Sequence, residues 1–321
     1  MRSSRLVQVG AILVLALTLS GCATLRPFPR DRDHAETPAG ERTLSAIVAE
    51  LHLHLRDDTY RYDRARSEGG QNVFALALWR LDRLRAQRAR RPGARRAEAR
   101  RPEEWENLDI VIEYARGRAL ERLRRYAAAR EAYGLVAATG SRLADAAFER
   151  EEVMRRFARH SGRPDSPLRD AEEERAFIEG RIRTWEAFAL EYHGTPFQSL
   201  AREKAEAGEM ARVDWFERHR GVQEAIQACR RLVERHSASK LHANHLIRLG
   251  DLYAEAAHGM VLRSRANLSP FDAQRYEVFL DHAFALYESA GDQPGKRTRA
   301  EASNKIDALL AEHEGIRAHV P

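Results

Sequence analysis

Apolar residues in this chain recur at three- and four-residue spacing, the signature of helices packed on one side. Leu44, Ile47, Val48, Leu51 and Leu55 form the first such stripe, so Thr43 is expected to open a helix. Asp57 to Gly70 interrupts the stripe and ends in Gly69-Gly70. A second helix is predicted from near Asn72, with Phe74, Leu78, Leu81 and then Leu84 or Arg85 along its apolar side, stopping near Pro92-Gly93. From Glu103 onward helix follows helix. Turns are expected near Gly140, across Ser161 to Arg169, at Gly194 to Pro196, near Gly221, at Ser237 to Ser239, at Asn267 to Pro270 and at Gly291 to Gly295. Alternating runs of Val, Ile and Thr are missing, so no strands are predicted. The fold class expected is all-α: antiparallel helix pairs stacked as a solenoid.

Composition supports helix over sheet. Charged residues make up 32% and aromatics 7%, and the chain is rich in Ala, Leu, Glu and Arg, which lose little on helix formation. The net charge of +6 is local rather than general. Arg80 to Arg101 holds ten Arg against Asp82 and Glu98, a surplus of +8, so most of the chain beyond it is mildly acidic. Three readings of this Arg segment stay open: a solvated helix end, a dock for an acidic partner or anionic headgroups, and a nucleic-acid contact. An export address argues against the last. Arg88, Arg91 and Arg95 are its candidate contact residues, because guanidinium groups pair bidentately with carboxylate and phosphate.

The N-terminus supplies that address. Arg2 and Arg5 precede an apolar run from Leu6 to Leu19, followed by small residues, which is the pattern of an export signal. As a helix the run reaches roughly 21 Å, short of the ~30 Å hydrocarbon core. Leu19-Ser20-Gly21-Cys22 resembles the lipobox of bacterial lipoproteins. That resemblance implies cleavage before Cys22, diacylation of its thiol and acylation of the new amino group, a three-chain anchor in a diderm envelope. Ala23, where an Asp would retain the protein at the inner membrane, implies the outer membrane facing the periplasm. The organisation expected is a signal peptide over 1–21, a lipidated flexible tether over 22–42, an N-terminal helical region with the Arg segment over 43–102, and a repeat domain over 103–321. The second cysteine, Cys229, has no partner and is read as a buried small apolar residue.

Several strings resemble tetratricopeptide repeats, whose period is 34 residues. Gly117, Leu120, Tyr126, Ala129 and Tyr133 follow that pattern: a small residue in the first helix, a Tyr at the turn, then Ala-x-x-x-Tyr in the second. Leu249, Gly250 and Tyr253 reproduce L-G-x-x-Y, and Ala283 with Tyr287 repeats the Ala-x-x-x-Tyr spacing, about twenty residues later than a regular repeat would put it. Ala225 and Cys229 repeat it with Cys in place of the ring. Gly117 and Gly250 lie 133 positions apart, near four periods. Phe188 to Ala205 and Leu232 to Tyr253 are similar to repeats of the BamD-like lipoproteins of outer-membrane barrel assembly. The resemblance runs from about Glu103 to Glu314. Residues 43 to 100 stand outside it.

Catalytic motifs are absent: no G-x-S-x-G, no H-E-x-x-H, no phosphate-binding Gly loop and no C-x-x-C. His242 and His245, with His236 nearby, could share a helix face, but no further ligand accompanies them, and no metal or cofactor is expected. Glu172, Glu173 and Glu174 fit a helix start, where carboxylates meet the positive end of the macrodipole. The function expected is an interaction scaffold, not an enzyme, tethered to the membrane by lipid and binding an envelope protein in outer-membrane biogenesis, secretion or motility. Tyr114, Arg118 and Arg248 on first helices are the candidate groove residues. The alternatives are a cell-wall-acting enzyme or accessory factor, and a structural partner of an outer-membrane barrel.

Overall fold

The computed structural model describes residues 39–90, 102–162, 168–266 and 270–317. They form eleven helices: α1 Ala39–His54, α2 Val73–Ala89, α3 Pro102–Arg122, α4 Tyr126–Ala137, α5 Ala144–Ser161, α6 Ala171–Glu191, α7 Pro196–His219, α8 Val222–Arg235, α9 His242–Arg265, α10 Ala273–Gly291 and α11 Lys296–Arg317. No strand occurs among the described residues, and no helix there is long and apolar enough to cross a membrane. The signal peptide and lipobox, with nearly all of the tether, lie outside them. Helix α1 takes in residues 39–42, four positions that the sequence assigned to the tether.

Most turns fall at the expected places, but that between α3 and α4 holds neither Gly nor Pro and turns at Arg124, whose φ is 61°; local chemistry explains several of the others. The Asn72 side chain accepts from the Phe74 and Ala75 amides and starts α2. Asp170 caps α6 through the Glu173 amide, while the Glu173 carboxylate reaches back to the Arg169 amide at 2.6 Å. Thr195 caps α7 with Pro196 at its first turn. Between α7 and α8 the chain turns in two residues, and Gly221 supplies the positive φ of 98° that this requires.

Most helices pack on their chain neighbours, from α2 on α3 through α10 on α11, and α9 also reaches α11. The exception is α5 against α6, which meet through rings. Phe157, fully buried, lies 5.0 Å from Trp185, 5.3 Å from Phe188 and 5.4 Å from Tyr126 between centroids, in the range of favourable aromatic pairs. One apolar core runs from Leu44 on α1 to Ala205 on α7 and a second from Val213 on α7 to Ile316 on α11, so the long α7 belongs to both.

Two helix hairpins, α3–α4 and α9–α10, share one locking device. A Cβ on Gly117 would sit 2.6 Å from Tyr133 Cε1, and one on Gly250 would sit 2.6 Å from Tyr287 Cε1. Each glycine thus lets a tyrosine ring lie flat on the facing helix. Each tyrosine hydroxyl then donates to a carboxylate just beyond its glycine, Tyr133 to Glu121 and Tyr287 to Asp251, both at 2.8 Å. Two details differ from the expected repeat. The Gly250 partner is Tyr287, on α10, because Gly250 stands 15 residues before the end of α9 where Gly117 stands five before the end of α3, and Tyr287 stands 14 residues into α10 where Tyr133 stands seven into α4, so the hairpin is stretched without losing its register. Only five helices lie between α3 and α9, so the interval from Gly117 to Gly250 holds three successive helix pairs rather than four short repeats.

Candidate functional site

Charged side chains are seldom buried, so a seam of them marks a place where the fold holds something in particular. That seam runs along α7. Glu203, Glu206 and Glu209 recur every three residues and so share one strip of the helix, beside the buried Ala201 and Ala205. Glu206 and Glu209 are each 1% exposed.

The loop between α1 and α2 lies over this seam. Arg122 donates to the Leu55 and Asp57 carbonyls, and Arg124 donates to Thr59 Oγ1 at 3.1 Å. On its far side the Lys240 amide donates to the Tyr60 carbonyl at 2.9 Å, and the Lys240 ammonium donates to the Thr59 carbonyl. The loop therefore straps the α3–α4 turn to the α8–α9 turn, whose Lys240 lies 180 positions after Tyr60. At its centre Tyr60, 4% exposed, bonds His236 Nδ1 through its hydroxyl at 2.8 Å, with Arg202 5.9 Å above the ring. Burial, then Glu206, pushes the Tyr60 phenol up to about 12, so it keeps its proton and donates. With Nδ1 accepting from Tyr60, Nε2 is the nitrogen left to carry a ring proton, and it lies 3.7 Å from Glu209 Oε2.

The carboxylates divide the work. Glu206 Oε1 lies 2.7 Å from His245 Nε2, both buried. Glu209 takes Arg235 at 2.6 Å and Arg212 at 3.5 Å; burial opposes its charge, but the nearby His236 and the Arg235 charge hold its carboxyl below the usual range. Glu203 meets three cations: Arg124 in contact, Lys240 at 3.5 Å and Arg64 at 4.0 Å. Burial, then the charges of Arg124 and Arg64, lowers the Lys240 ammonium to about 8. Burial and the Arg64 charge lower the Arg124 guanidinium to about 10. Cations outnumber anions here. The Tyr60–His236–Glu209 chain is a fastener: its phenol does not ionise near neutral pH, and no nucleophile stands beside it.

The residues singled out in the sequence lie elsewhere. Tyr114 packs edge-on against Tyr133 at 5.7 Å, beside the buried Glu121–Arg150 pair at 2.8 Å, and Arg118 adds a second positive charge to Glu121. Arg248 bonds Asp214 at 3.1 Å and also contacts Glu217. Arg88 bonds Asp109 at 2.6 Å. Within α2 the Arg segment is largely matched by acids on adjacent helices: Arg80 to Glu50 at 2.5 Å and Arg85 to Glu113 at 2.9 Å as well. Arg91 and Arg95 lie outside the described residues. Tyr253 stacks on His282 at 4.9 Å; Leu249, Ala129 and Ala283 are buried, as is Tyr126. Cys229 is fully buried and burial pushes its thiol up to about 12. Among the described residues no group of three metal-binding side chains assembles: His236 and His245 face Tyr60 and Glu206 instead. Glu172 and Glu174 do sit in the first turn of α6, and they also pair with Arg220 at 2.5 Å and Arg218 at 2.9 Å.

Sequence reasoning missed the seam. Its one signal was the three-residue recurrence of Glu203, Glu206 and Glu209 among small residues. Compared with known proteins, the chain matches no family model, no curated protein and no solved structure.

Proposed function

We propose that the chain is a lipid-anchored lipoprotein on the periplasmic side of the outer membrane, whose helical body acts as a tetratricopeptide-like scaffold for another envelope protein. The observation that carries this reading is the pairing of Leu19-Ser20-Gly21-Cys22, behind a charged and apolar leader, with a body built of packed helix hairpins. The Gly–Tyr–carboxylate lock supports the repeat character, because it recurs in two hairpins of different length. A hairpin with one apolar stripe is satisfied only by stacking on the next, and stacked hairpins bind by presenting a long surface. In this reading Arg91 and Arg95 supply cationic contacts that the α2 arginines, held by neighbouring acids, do not.

The test is chemical. Intact-mass measurement and membrane fractionation compare the wild-type protein with Cys22→Ser. The wild type should carry three acyl chains and sediment with outer membranes, and the variant should lose both properties. Unchanged mass and fractionation in the variant overturn the anchor. Hydrolysis of purified sacculi by the isolated protein overturns the scaffold reading in favour of a cell-wall enzyme.

A further inference from the structure

Where the α1–α2 strap crosses α7, positive charge exceeds negative in a largely enclosed place. Arg64, Arg124, Lys204 and Lys240 converge there. Arg124, 8% exposed at its side chain, and Lys240, 13%, are nearly enclosed, while Arg64 at 32% opens to solvent. The Lys204 ammonium lies 5.8 Å from the centre of the Tyr126 ring. Facing these four cations are Glu203 among them, Glu206, which is already engaged by His245, and the exposed Asp63. Burial lowers both ammonium groups, and the positive charges of Arg124 and Arg64, with Arg181 beside Lys204, lower them further.

A surplus of enclosed positive charge is costly unless an anion neutralises it. Two donors in the same place also lack any acceptor: the Tyr126 hydroxyl and Arg124 Nε are both buried without a hydrogen-bond partner. A buried donor left unpaired calls for an explanation, and a bound anion supplies one for both. With Glu206 taken up by His245, Glu203 and Asp63 offset two of the four positive charges and leave a surplus near two, which suits a phosphate group.

We infer that Arg64, Arg124, Lys204, Lys240 and the Tyr126 hydroxyl form a binding site for a phosphate group, entered past Arg64. The phosphate belongs either to a free inorganic or soluble phosphate monoester or to a phospholipid headgroup. The ligand and the strap share Arg124 and Lys240, so occupancy also fastens the α1–α2 loop.

The probe is inorganic phosphate, added to the purified full chain at constant ionic strength, with chloride and acetate as controls. Thermal unfolding and calorimetry should show saturable stabilisation by phosphate alone. Arg64→Gln and Lys240→Met should each weaken binding at least about tenfold, the loss expected when a charged hydrogen bond is removed, and Lys240→Arg should largely restore it. Phosphorus NMR on the wild type gives a readout independent of variant folding: the phosphate line should broaden with protein and sharpen when a phosphate monoester competes. A second arm adds vesicles of phosphatidylglycerol or of phosphatidylcholine. Displacement of bound phosphate by vesicles supports the headgroup source, and no displacement supports the soluble one. Equal effects of phosphate, chloride and acetate, with no line broadening, overturn the site. None of these readouts depends on acylation of Cys22 or on a protein partner.

Discussion

Replacing Gly250 by Ala tests whether the hairpin lock is what sets the α9–α10 contact. The added Cβ meets Tyr287 Cε1 at 2.6 Å, Cδ1 at 2.9 Å and Cζ at 3.1 Å. Carbon atoms rest at ~3.5–4.0 Å, so the ring must retreat by roughly 0.9 Å or more. Tyr287 is 2% exposed and its hydroxyl is held by Asp251, itself paired with Lys305 at 2.8 Å, so retreat either strains the core or breaks that bond. Overpacking costs about 1–3 kcal/mol, and losing a hydrogen bond to a charged group about 1.5–3 kcal/mol. Against this, Ala is better than Gly within a helix by about 1 kcal/mol. The net expectation is destabilisation by about 2 kcal/mol, which lowers Tm by about 4–8 °C in a body of this size.

The control is Gly180→Ala on α6, where a Cβ meets nothing within 4 Å. There only the propensity acts, and the protein should gain about 0.5–1 kcal/mol. The decisive measurement is a double-mutant cycle by urea unfolding. In a Tyr287→Ala background the ring is gone, so Gly250→Ala should become neutral or stabilising, a coupling of about 2–3 kcal/mol. If Gly250→Ala costs the same with and without the ring, the glycine is needed for some other reason and the lock does not set the contact.

Three further outcomes follow from the strap and the buried groups. Tyr60→Phe should cost about 1–3 kcal/mol, because it leaves buried His236 Nδ1 unpaired. It should also speed trypsin cleavage at Arg61 or Arg64, and unchanged cleavage and urea midpoint would count against the strap. Lys240 titrates near 8 when folded and near its ordinary 10.5 when unfolded, so between those values the unfolded chain binds more protons. Its contribution therefore destabilises below pH 8 and is relieved as pH rises from 8 toward 10.5. Lys240→Met should make the slope of stability against pH between 8 and 9.5 less positive, and an identical slope refutes the assignment. In a Cys22→Ser background, Cys229 should resist a thiol reagent until the protein unfolds, since its thiol is enclosed and stays protonated; rapid native labelling would contradict its burial.

The helices and turns were legible because their signals are local. Asn72, Asp170, Thr195 and Gly221 act within a few residues of themselves, and the apolar stripe of α1 needs no knowledge of its partner. The Gly117–Tyr133 pair was legible for the same reason, lying within one short hairpin. Its counterpart was only half legible: Gly250 and Tyr287 were both picked out, but no short motif reports that the α9–α10 hairpin is stretched, which puts 37 positions between glycine and ring against 16 in the first hairpin. The seam was not legible at all. Glu203, Glu206 and Glu209 on an Ala-rich helix look like a solvated face, and what buries them is the α1–α2 loop and the α8–α9 turn, far away in the chain. Arg248 and Arg88 show the opposite failure: each reads as free charge in the sequence and is matched by an acid on another helix.

A buried polar seam costs stability that an apolar one would not, and the Glu206–His245 contact allows that cost to be measured. The two are bonded at 2.7 Å, yet Glu206 Oε2 and His245 Nδ1 find no partner, so the pair is only half satisfied. Glu206→Met alone strands His245, and His245→Leu alone strands a buried carboxylate. The second loss is the heavier, about 3–5 kcal/mol if the carboxylate stays charged, against about 1–3 kcal/mol for an unpaired neutral group. Replacing both by apolar residues of similar size removes every stranded atom at once, and such exchanges run from neutral to a gain of about 1–4 kcal/mol. Urea unfolding of the four proteins should therefore rank the double variant at or above the wild type and both singles below it. What the double variant should lose is the register of the strap: Tyr60 and His236 sit against this pair, His236 lies 6.5 Å from His245 between ring centroids, and an apolar seam accepts a sliding loop as readily as a fixed one. Faster trypsin cleavage at Arg61 or Arg64 in a protein no less stable than the wild type would show that the seam serves the position of the loop. A double variant as unstable as the sum of its singles would show that it serves the fold itself.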